Sequence, residues 1–295
     1  HKYRMIFFTK NGLNALMKMP FYKYQSLENH FILFELSEDN QLFSDYCQQL
    51  TQDKKKIIEL CYSRRGIGAD GILLIKKKDR GQLDVAIFNA DGTSAENCLN
   101  GLRCVVLHWA KKYKNSDFLK LDLFMGHKKT EASYDYRSGL INTACEAAQI
   151  KDKKEIDLSL SEKISGTLVS VGNPHFVIQE KKEPLWLLSY GSAIEKHNFF
   201  PEKTNVELLI KREKGLYELF IHERGVGYTA ACGSGAAAAT WLLFEQKEIQ
   251  REEKIIISMP GGTLISWITK EQKIALEASA QLVFDGFLTI DEAGY

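Results

Sequence analysis

Apolar positions along the chain change their period several times, and each change marks an element. Phe21 to Leu36 predicts two strands around a polar turn, Glu28-Asn29-His30. Ser37 to Leu60 predicts a polar lead-in followed by a helix. The run Gly66-Ile67-Gly68-Ala69-Asp70-Gly71 predicts a turn opening the strand Ile72-Leu73-Leu74-Ile75. Asp84 to Asn89 predicts a further strand, ended by Ala90-Asp91-Gly92. From Cys98 to Lys114 the apolar positions Leu102, Val105, Val106 and Trp109 recur at helical spacing. Leu119 to Phe124 then returns to strand character. The start of the chain carries no clear pattern.

The second half repeats this grammar. Strands are predicted at Thr167–Val171, Val177–Gln179, Val206–Ile210 and Tyr217–His222, and a helix from about Gly233 to Glu248. Further strands follow at Ile255–Ser258, Leu264–Ile268 and Ile274–Glu277. Between the halves, Lys151-Asp152-Lys153-Lys154-Glu155 is most simply a solvated connector. Strand, glycine-bearing turn, cysteine, small polar residues and helix occur once around Cys98 and again around Cys232. Two similar α/β halves facing each other account for that repetition.

Composition narrows the function class without choosing it. The 295 residues suffice for two domains, and 39 basic against 38 acidic side chains leave a net charge of +1. That balance gives no electrostatic reason to expect nucleic acid or a membrane surface as partner. No apolar run approaches the ~20 residues of a bilayer span, and the short Ile6-Phe7-Phe8 is no secretory core. The cysteines Cys47, Cys61, Cys98, Cys104, Cys145 and Cys232 form no C-x-x-C pair, which argues against a structural zinc site. A chain of this size needs no disulfide staples, so free thiols and a cytoplasmic location are expected.

Two of those cysteines carry the chemistry. Cys98 and Cys232 each stand immediately before a predicted helix, where free N–H groups and the helix dipole favour negative charge. Such a position is expected to lower a thiol pKa towards neutrality, and the same N–H groups can hold a carboxylate. Inverting a Cα–H centre needs a base on one face and an acid on the other, which one ionised and one protonated thiol supply. Two helix N-termini on one carboxylate would stabilise the carbanion, each well-placed donor contributing about 3–4 kcal/mol. The remaining cysteines read as small buried hydrophobes. The glycine-rich Ala231-Cys232-Gly233-Ser234-Gly235 lacks the Lys-Ser/Thr ending of a phosphate loop, so a nucleotide site is set aside. Its glycines are expected to clear space for a ligand.

An ordered set of motifs now points further: Asn89-Ala90-Asp91-Gly92, Cys98-x-Asn100-Gly101-x-Arg103-Cys104, Gly172-Asn173-Pro174-His175, Thr204-Asn205-Val206, Glu223-Arg224-Gly225-x-Gly227-x-Thr229 and Ala231-Cys232-Gly233-Ser234-Gly235. In these the chain resembles the diaminopimelate epimerase family, pyridoxal-phosphate-independent enzymes of bacterial lysine and peptidoglycan biosynthesis. The resemblance implies an α/β (α+β) fold of two pseudo-symmetric domains, each a mixed sheet wrapped around a central helix, with the active site in the cleft between them. It implies domains 19–137 plus 279–295 and 138–278, after an N-terminal extension 1–18. The implied reaction converts L,L-diaminopimelate to the meso form without metal or cofactor, in a cytoplasmic enzyme. Its partner is a small amino-acid substrate, and a homodimer is expected.

Carried over by position, Cys98 and Cys232 are the acid–base pair. Asn100, Gly101, Gly233 and Ser234 hold the reacting carboxylate. Asn89, Asn173, Asn205 and Arg224 bind the far end of the substrate, Glu223 helps to hold ammonium, Asn29 belongs to the first loop, and His175 sits beside the cysteines. Taken singly, Arg224 would be a surface ion-pair member, Asn173 a turn residue and His175 a core residue. The chain departs from the family where Leu99 replaces glycine beside the first cysteine, where Glu28 and His30 replace glycine and aspartate in the first loop, where Gly71 replaces a site-lining glutamine, and where Tyr228 replaces glutamate. A pocket reshaped by Leu99, accepting also glutamate, is one expectation; a racemase of smaller amino acids and a catalytically silent binding protein are the alternatives. Arg224 with the three asparagines argues for a substrate with a second charged end, against proline.

Overall fold

The structure, a computed structural model, describes residues 4–9, 12–36, 41–95, 98–113, 117–158 and 162–291. The chain opens with β1 (Arg4–Thr9) and β2 (Gly12–Ser26), paired antiparallel, so the unpatterned start is strand rather than loop. A two-residue turn, Leu27-Glu28, leads into β3 (Asn29–Leu36). Both turn residues have positive φ, 54° and 61°, the geometry that matches hairpin twist but normally calls on Asn-Gly.

Where one helix was expected there are two, α1 (Gln41–Gln52) and α2 (Lys54–Cys61); the expected lead-in at 37–40 lies outside the described residues. The break is Asp53, whose carboxylate accepts from the Lys55 N–H at 3.0 Å and so caps α2. Then come β4 (Gly71–Asp79), β5 (Gln82–Asn89), α3 (Leu99–Lys112), β6 (Phe118–Met125), β7 (Lys128–Asp135) and β8 (Ile141–Cys145). The helix predicted to Lys114 ends at Lys112, with Tyr113 as its cap; Lys114 lies outside the described residues.

The second half runs β9 (Gln149–Asp157), β10 (Lys163–Ser170), β11 (Pro174–Ile178), α4 (Pro184–Glu195), β12 (Asn205–Glu213), β13 (Leu216–Glu223), β14 (Gly227–Thr229) and α5 (Gly233–Glu245). It ends with β15 (Ile255–Met259), β16 (Gly262–Ile268), β17 (Ile274–Ala278) and β18 (Gln281–Asp291). The charged stretch read as a connector is β9, antiparallel to β10. Its outward lysines and acids suit a strand facing water, where charge discourages further edge pairing.

Strand pairing repeats between the halves. From β2 to β8 the successive pairs are antiparallel, parallel, antiparallel, parallel, antiparallel, antiparallel. From β10 through β11, β12, β13, β15, β16 and β17 the same series recurs. β8 and β17 pair with each other across the middle. Each half then borrows a strand: β9, following the first half, pairs with β10, and β18, following the second, returns to β2.

One core encloses α3 and α5 together, with Leu102, Val105 and Val106 of the first beside Ala236–Ala239 and Leu242 of the second. Every residue from Leu99 to Ala110 is buried, so α3 is a helix wrapped by sheet rather than a surface helix. Two outer clusters cover the opposite sheet faces, one beneath α1 and α2 with Phe34, Cys47 and Ile57, the other beneath α4 with Phe176, Leu187 and Ile194. Strand β4 is therefore buried on both sides, Leu73 facing the helices and Ile72 and Leu74 the outer cluster. Among the described residues no helix is long and apolar enough to cross a membrane.

Candidate active site

Each half delivers a cysteine to the start of its central helix. Cys98 caps α3, and its sulfur accepts from the Gly101 N–H at 3.4 Å. Gly101 is held to glycine by space, because a Cβ there would stand 3.0 Å from a Leu73 methyl and 3.4 Å from the Cys98 sulfur. Asn100 is buried, and its Oδ1 accepts from the fully buried Arg103 guanidinium. Cys232 caps α5 in extended conformation, with its sulfur 3.3 Å from the Ser234 hydroxyl. A Cβ on Gly233 would lie 3.0 Å from Leu99 Cβ and 3.6 Å from Asn100 Oδ1, so the two helix starts abut directly.

This contact revises the expected use of the glycines. Gly233 makes room for Leu99, and Gly235 makes room for Glu207, whose Oε1 would sit 2.9 Å from a Cβ. The space opened beside Cys232 receives protein groups. Leu99, only 3 % exposed, fills the helix–helix junction.

Behind Cys232 stands a buried polar chain. The β11–β12 register sets His175 opposite Asn205, and Glu207 two residues on shares the face of Asn205. His175 Nδ1 lies 2.5 Å from Glu207 Oε1, and its Nε2 lies 3.1 Å from Asn173 Oδ1. A carboxylate only accepts, so Nδ1 carries a hydrogen. A ring donating at both nitrogens is the imidazolium, and a neutral ring requires the Asn173 amide turned the other way. The Glu207 Oε2 has no hydrogen-bond partner among the described residues. Sequence reasoning passed over Glu207; its i+2 spacing from Asn205 on a predicted strand was the available signal. Asn205 gives one amide hydrogen to the Pro174 carbonyl and accepts the Arg224 N–H, both at 2.9 Å, fixing the loop that carries Arg224. The Arg224 side chain is solvent-facing and donates to the Glu202 carbonyl at 3.1 Å.

The first half places its asparagines at the corresponding sheet end. Asn29 donates to Asp70 Oδ2 at 3.1 Å, and Asn89 donates to Thr93 Oγ1 at 3.0 Å, so these bonds run to neighbouring turns rather than to the cysteines. Gly71 cannot carry a larger side chain here, since a Cβ would meet the Phe88 carbonyl oxygen at 2.4 Å. Tyr228 is exposed on β14, paired with His222 of β13.

The thiols correct one expectation. Burial pushes Cys98 up to about 11 and Cys232 well above its ordinary value. For Cys98 the N–H groups of Gly101 and Asn100 and the charge of Arg103 pull the other way, and Glu223 adds to the rise. For Cys232, Glu223 and Glu207 add to burial, against Ser234 and the Gly235 N–H. Removing water from a thiolate outweighs the helix start that the sequence made visible. Burial, with Glu207, also lifts the Glu223 carboxyl above the usual range, against the pull of Thr229, Cys232 and His175. Since Glu223 bears on both cysteines, the three groups form one electrostatic unit.

Known proteins carry the same frame. The family model described as diaminopimelate epimerase matches residues 21–145 and 167–283. The chain belongs to the diaminopimelate epimerase family. A diaminopimelate epimerase of Carboxydothermus hydrogenoformans is 32 % identical, over 91 % of this chain and 98 % of that protein. One from Prochlorococcus marinus strain MIT 9313 is 32 % identical, over 93 % and 94 % respectively. The fold also matches a crystal structure of a hydroxyproline epimerase from Agrobacterium vitis, with a TM-score of 0.69 over 93 % of each chain at 12 % identity. As a member of the diaminopimelate epimerase family, the chain is an isomerase acting on a small molecule. The family motifs fall on both cysteine-capped helix starts and on the polar chain behind Cys232.

Proposed function

We propose that this epimerase interconverts L,L- and meso-diaminopimelate by two-base proton transfer, with Cys98 and Cys232 acting on opposite faces of Cα. The observation that carries this reading is the meeting of two cysteine-capped helix N-termini at Leu99 and Gly233. One sulfur, ionised, takes the Cα proton; the other, protonated, gives its proton to the opposite face. The cysteines leave with their protonation states exchanged, and the reverse reaction exchanges them back. The free N–H groups of both helices, with Asn100, Gly101, Gly233 and Ser234, receive the α-carboxylate and the charge that develops on it.

In the free enzyme both thiols are held neutral by burial. A bound ammonium group near Glu223 and the loaded helix starts supply the stabilisation that a thiolate lacks without substrate. Asn89, Asn173, Asn205 and Arg224 are assigned to the far carboxylate and amine, Asn29 to substrate binding from the first loop, and His175 to the support of Asn173. The assigned units are 19–137 with 279–295, and 138–278. The reaction belongs to lysine and peptidoglycan precursor biosynthesis in the cytoplasm.

Glutamate racemisation was expected from a pocket reshaped by Leu99. Leu99 packs on Gly233 instead, so glutamate is retained as a test and diaminopimelate as the substrate. The experiment is wash-in of solvent deuterium at Cα of diaminopimelate and glutamate, followed by chiral analysis. Exchange and inversion of diaminopimelate are expected; no exchange from either isomer would defeat the proposal.

A further inference from the structure

Beneath the start of α3 lies a charge that the reaction scheme leaves without a task. Arg103 is 0 % exposed, among the largest side chains buried so completely. Its guanidinium meets no carboxylate among the described residues. Nε donates to Ser26 Oγ at 2.9 Å, one terminal nitrogen donates to Asn100 Oδ1, and Nη1 has no partner among the described residues. Ser26 in turn donates to the Ser279 carbonyl at 2.8 Å. A cation buried without a counter-ion is unfavourable, and an apolar side chain of similar volume would pack there more stably. The groups that feel the Arg103 charge are Cys98, at the cap of α3, and Cys104.

The fork explains why an arginine stands here. A guanidinium reaches Ser26 on β2 and Asn100 on α3 at once, which a lysine ammonium does with poorer geometry. With Oδ1 engaged by the guanidinium, the Asn100 amide has its NH2 turned away from Arg103 and free to donate. The same amide oxygen lies at the junction with α5. Around Cys98 the charged and titratable neighbours are Glu223 from β13, Arg103 and Cys104 from α3. Around Cys232 they are Glu223 and Glu207, the latter paired with His175. The buried cation therefore serves one cysteine and not the other.

We propose that Arg103 is a positioning residue for the proton transfer: it orients the Asn100 amide towards the substrate carboxylate and stabilises the thiolate at Cys98. The inference rests on the two-cysteine reading. Cys98 releases its proton to water, its thiolate takes the Cα proton, and Cys232 protonates the opposite face, so no further reactant is needed.

The test is site-resolved alkylation of the full chain by iodoacetamide, followed by peptide mass spectrometry across a pH series. In Arg103→Met and Arg103→Gln, the rate of Cys98 modification at a given pH is expected to fall about tenfold or more, with Cys232 changed by less than about threefold. Arg103→Lys keeps the charge, so its Cys98 reactivity should stay near wild type while KM for diaminopimelate rises about tenfold through the loosened Asn100. Unchanged Cys98 reactivity in a folded neutral variant overturns the electrostatic role. Should neither neutral variant fold, Arg103→Lys decides: a raised KM with wild-type Cys98 reactivity supports the proposal, and an unchanged KM overturns it. Alkylation is read without turnover, so its outcome stands apart from the fate of the two-cysteine reading, which deuterium exchange in Cys98→Ala tests.

Discussion

At the start of α3 a buried guanidinium lies under Cys98, whereas at the start of α5 the buried Glu207 and its neighbour Glu223 face Cys232. The backbones of the two sites are near copies: a strand, a turn, a capping cysteine and a helix buried all round. The repeated frame thus sets Arg103 by Cys98 and Glu207 by Cys232, with Glu223 bearing on both. In the proposed mechanism the symmetric frame brings two sulfurs to one carbon, while the charges around each sulfur differ. The proposed reaction needs one thiolate and one thiol at every moment of the cycle, because two thiols or two thiolates would leave one face without its partner.

The comparison can be broken most severely at the sulfurs. Cys98→Ala and Cys232→Ala are each expected to lower inversion by at least about 10³-fold, measured by chiral product analysis. If the sites are opposite faces of one mechanism, each variant retains deuterium exchange from at most one isomer. Equal inversion by either variant would mean that the halves are not complementary.

The next effect falls on the acidic side. Removing Glu207 leaves His175 without its buried partner, and Glu207→Ala should lower unfolding stability by about 3–5 kcal/mol, read from denaturant midpoints. A change below about 1 kcal/mol would show that the pair contributes little to that half. At the junction, Gly233→Ala should destabilise by about 1–3 kcal/mol, since the new methyl meets Leu99. The double variant Leu99→Gly/Gly233→Ala should lose less than the sum of the two single changes, and simple additivity would mean that the two helix starts do not press on each other.

Alkaline titration perturbs the molecule more gently. Burial pushes Cys47 and Cys61, and Cys145 at the end of β8, up to about 12. A raised folded-state pKa means the stabilisation is complete below the unfolded thiol pKa and declines as pH climbs towards the folded value. Melting temperature should therefore fall from about pH 8.5 upward, each such thiol giving up about 1.4 kcal/mol per pH unit. Cys47→Ala should flatten the dependence; an unchanged slope would remove the thiols as its cause. Smallest is the hairpin tip, where Glu28→Gly relieves a left-handed residue and should stabilise by about 1 kcal/mol in thermal melts.

Much of this was legible where a residue's neighbours are its neighbours in sequence. The apolar spacing of Leu102, Val105, Val106 and Trp109 predicted α3, and the alternation around Glu28 predicted the β2–β3 hairpin. Strand β9 was not legible, because Lys151 to Glu155 carries the signs of a solvated loop and becomes strand by pairing with β10. Helix α4 and strand β18 were likewise settled by what they pack on, under α4 the outer cluster and beside β18 the strand β2. At the site, the helix starts were visible and the dryness around them was not. The expected thiol shift therefore had the wrong sign. Arg103 stood within a motif without a role, since a guanidinium's burial and missing counter-ion are properties of the folded chain. Gly71 read as a lost glutamine until the Phe88 carbonyl occupied the place where a side chain would begin.

The borrowed strands carry one more consequence. Because β9 completes the second half and β18 the first, a chain cut between β8 and β9 yields two fragments that are each incomplete: the first lacks its closing strand, and the second carries an orphan that belongs elsewhere. Neither piece closes its sheet alone, yet the two together restore every pairing. The interleaving makes the molecule a candidate for fragment complementation, in which the recovery of activity would report the joining of halves that had never been separate bodies.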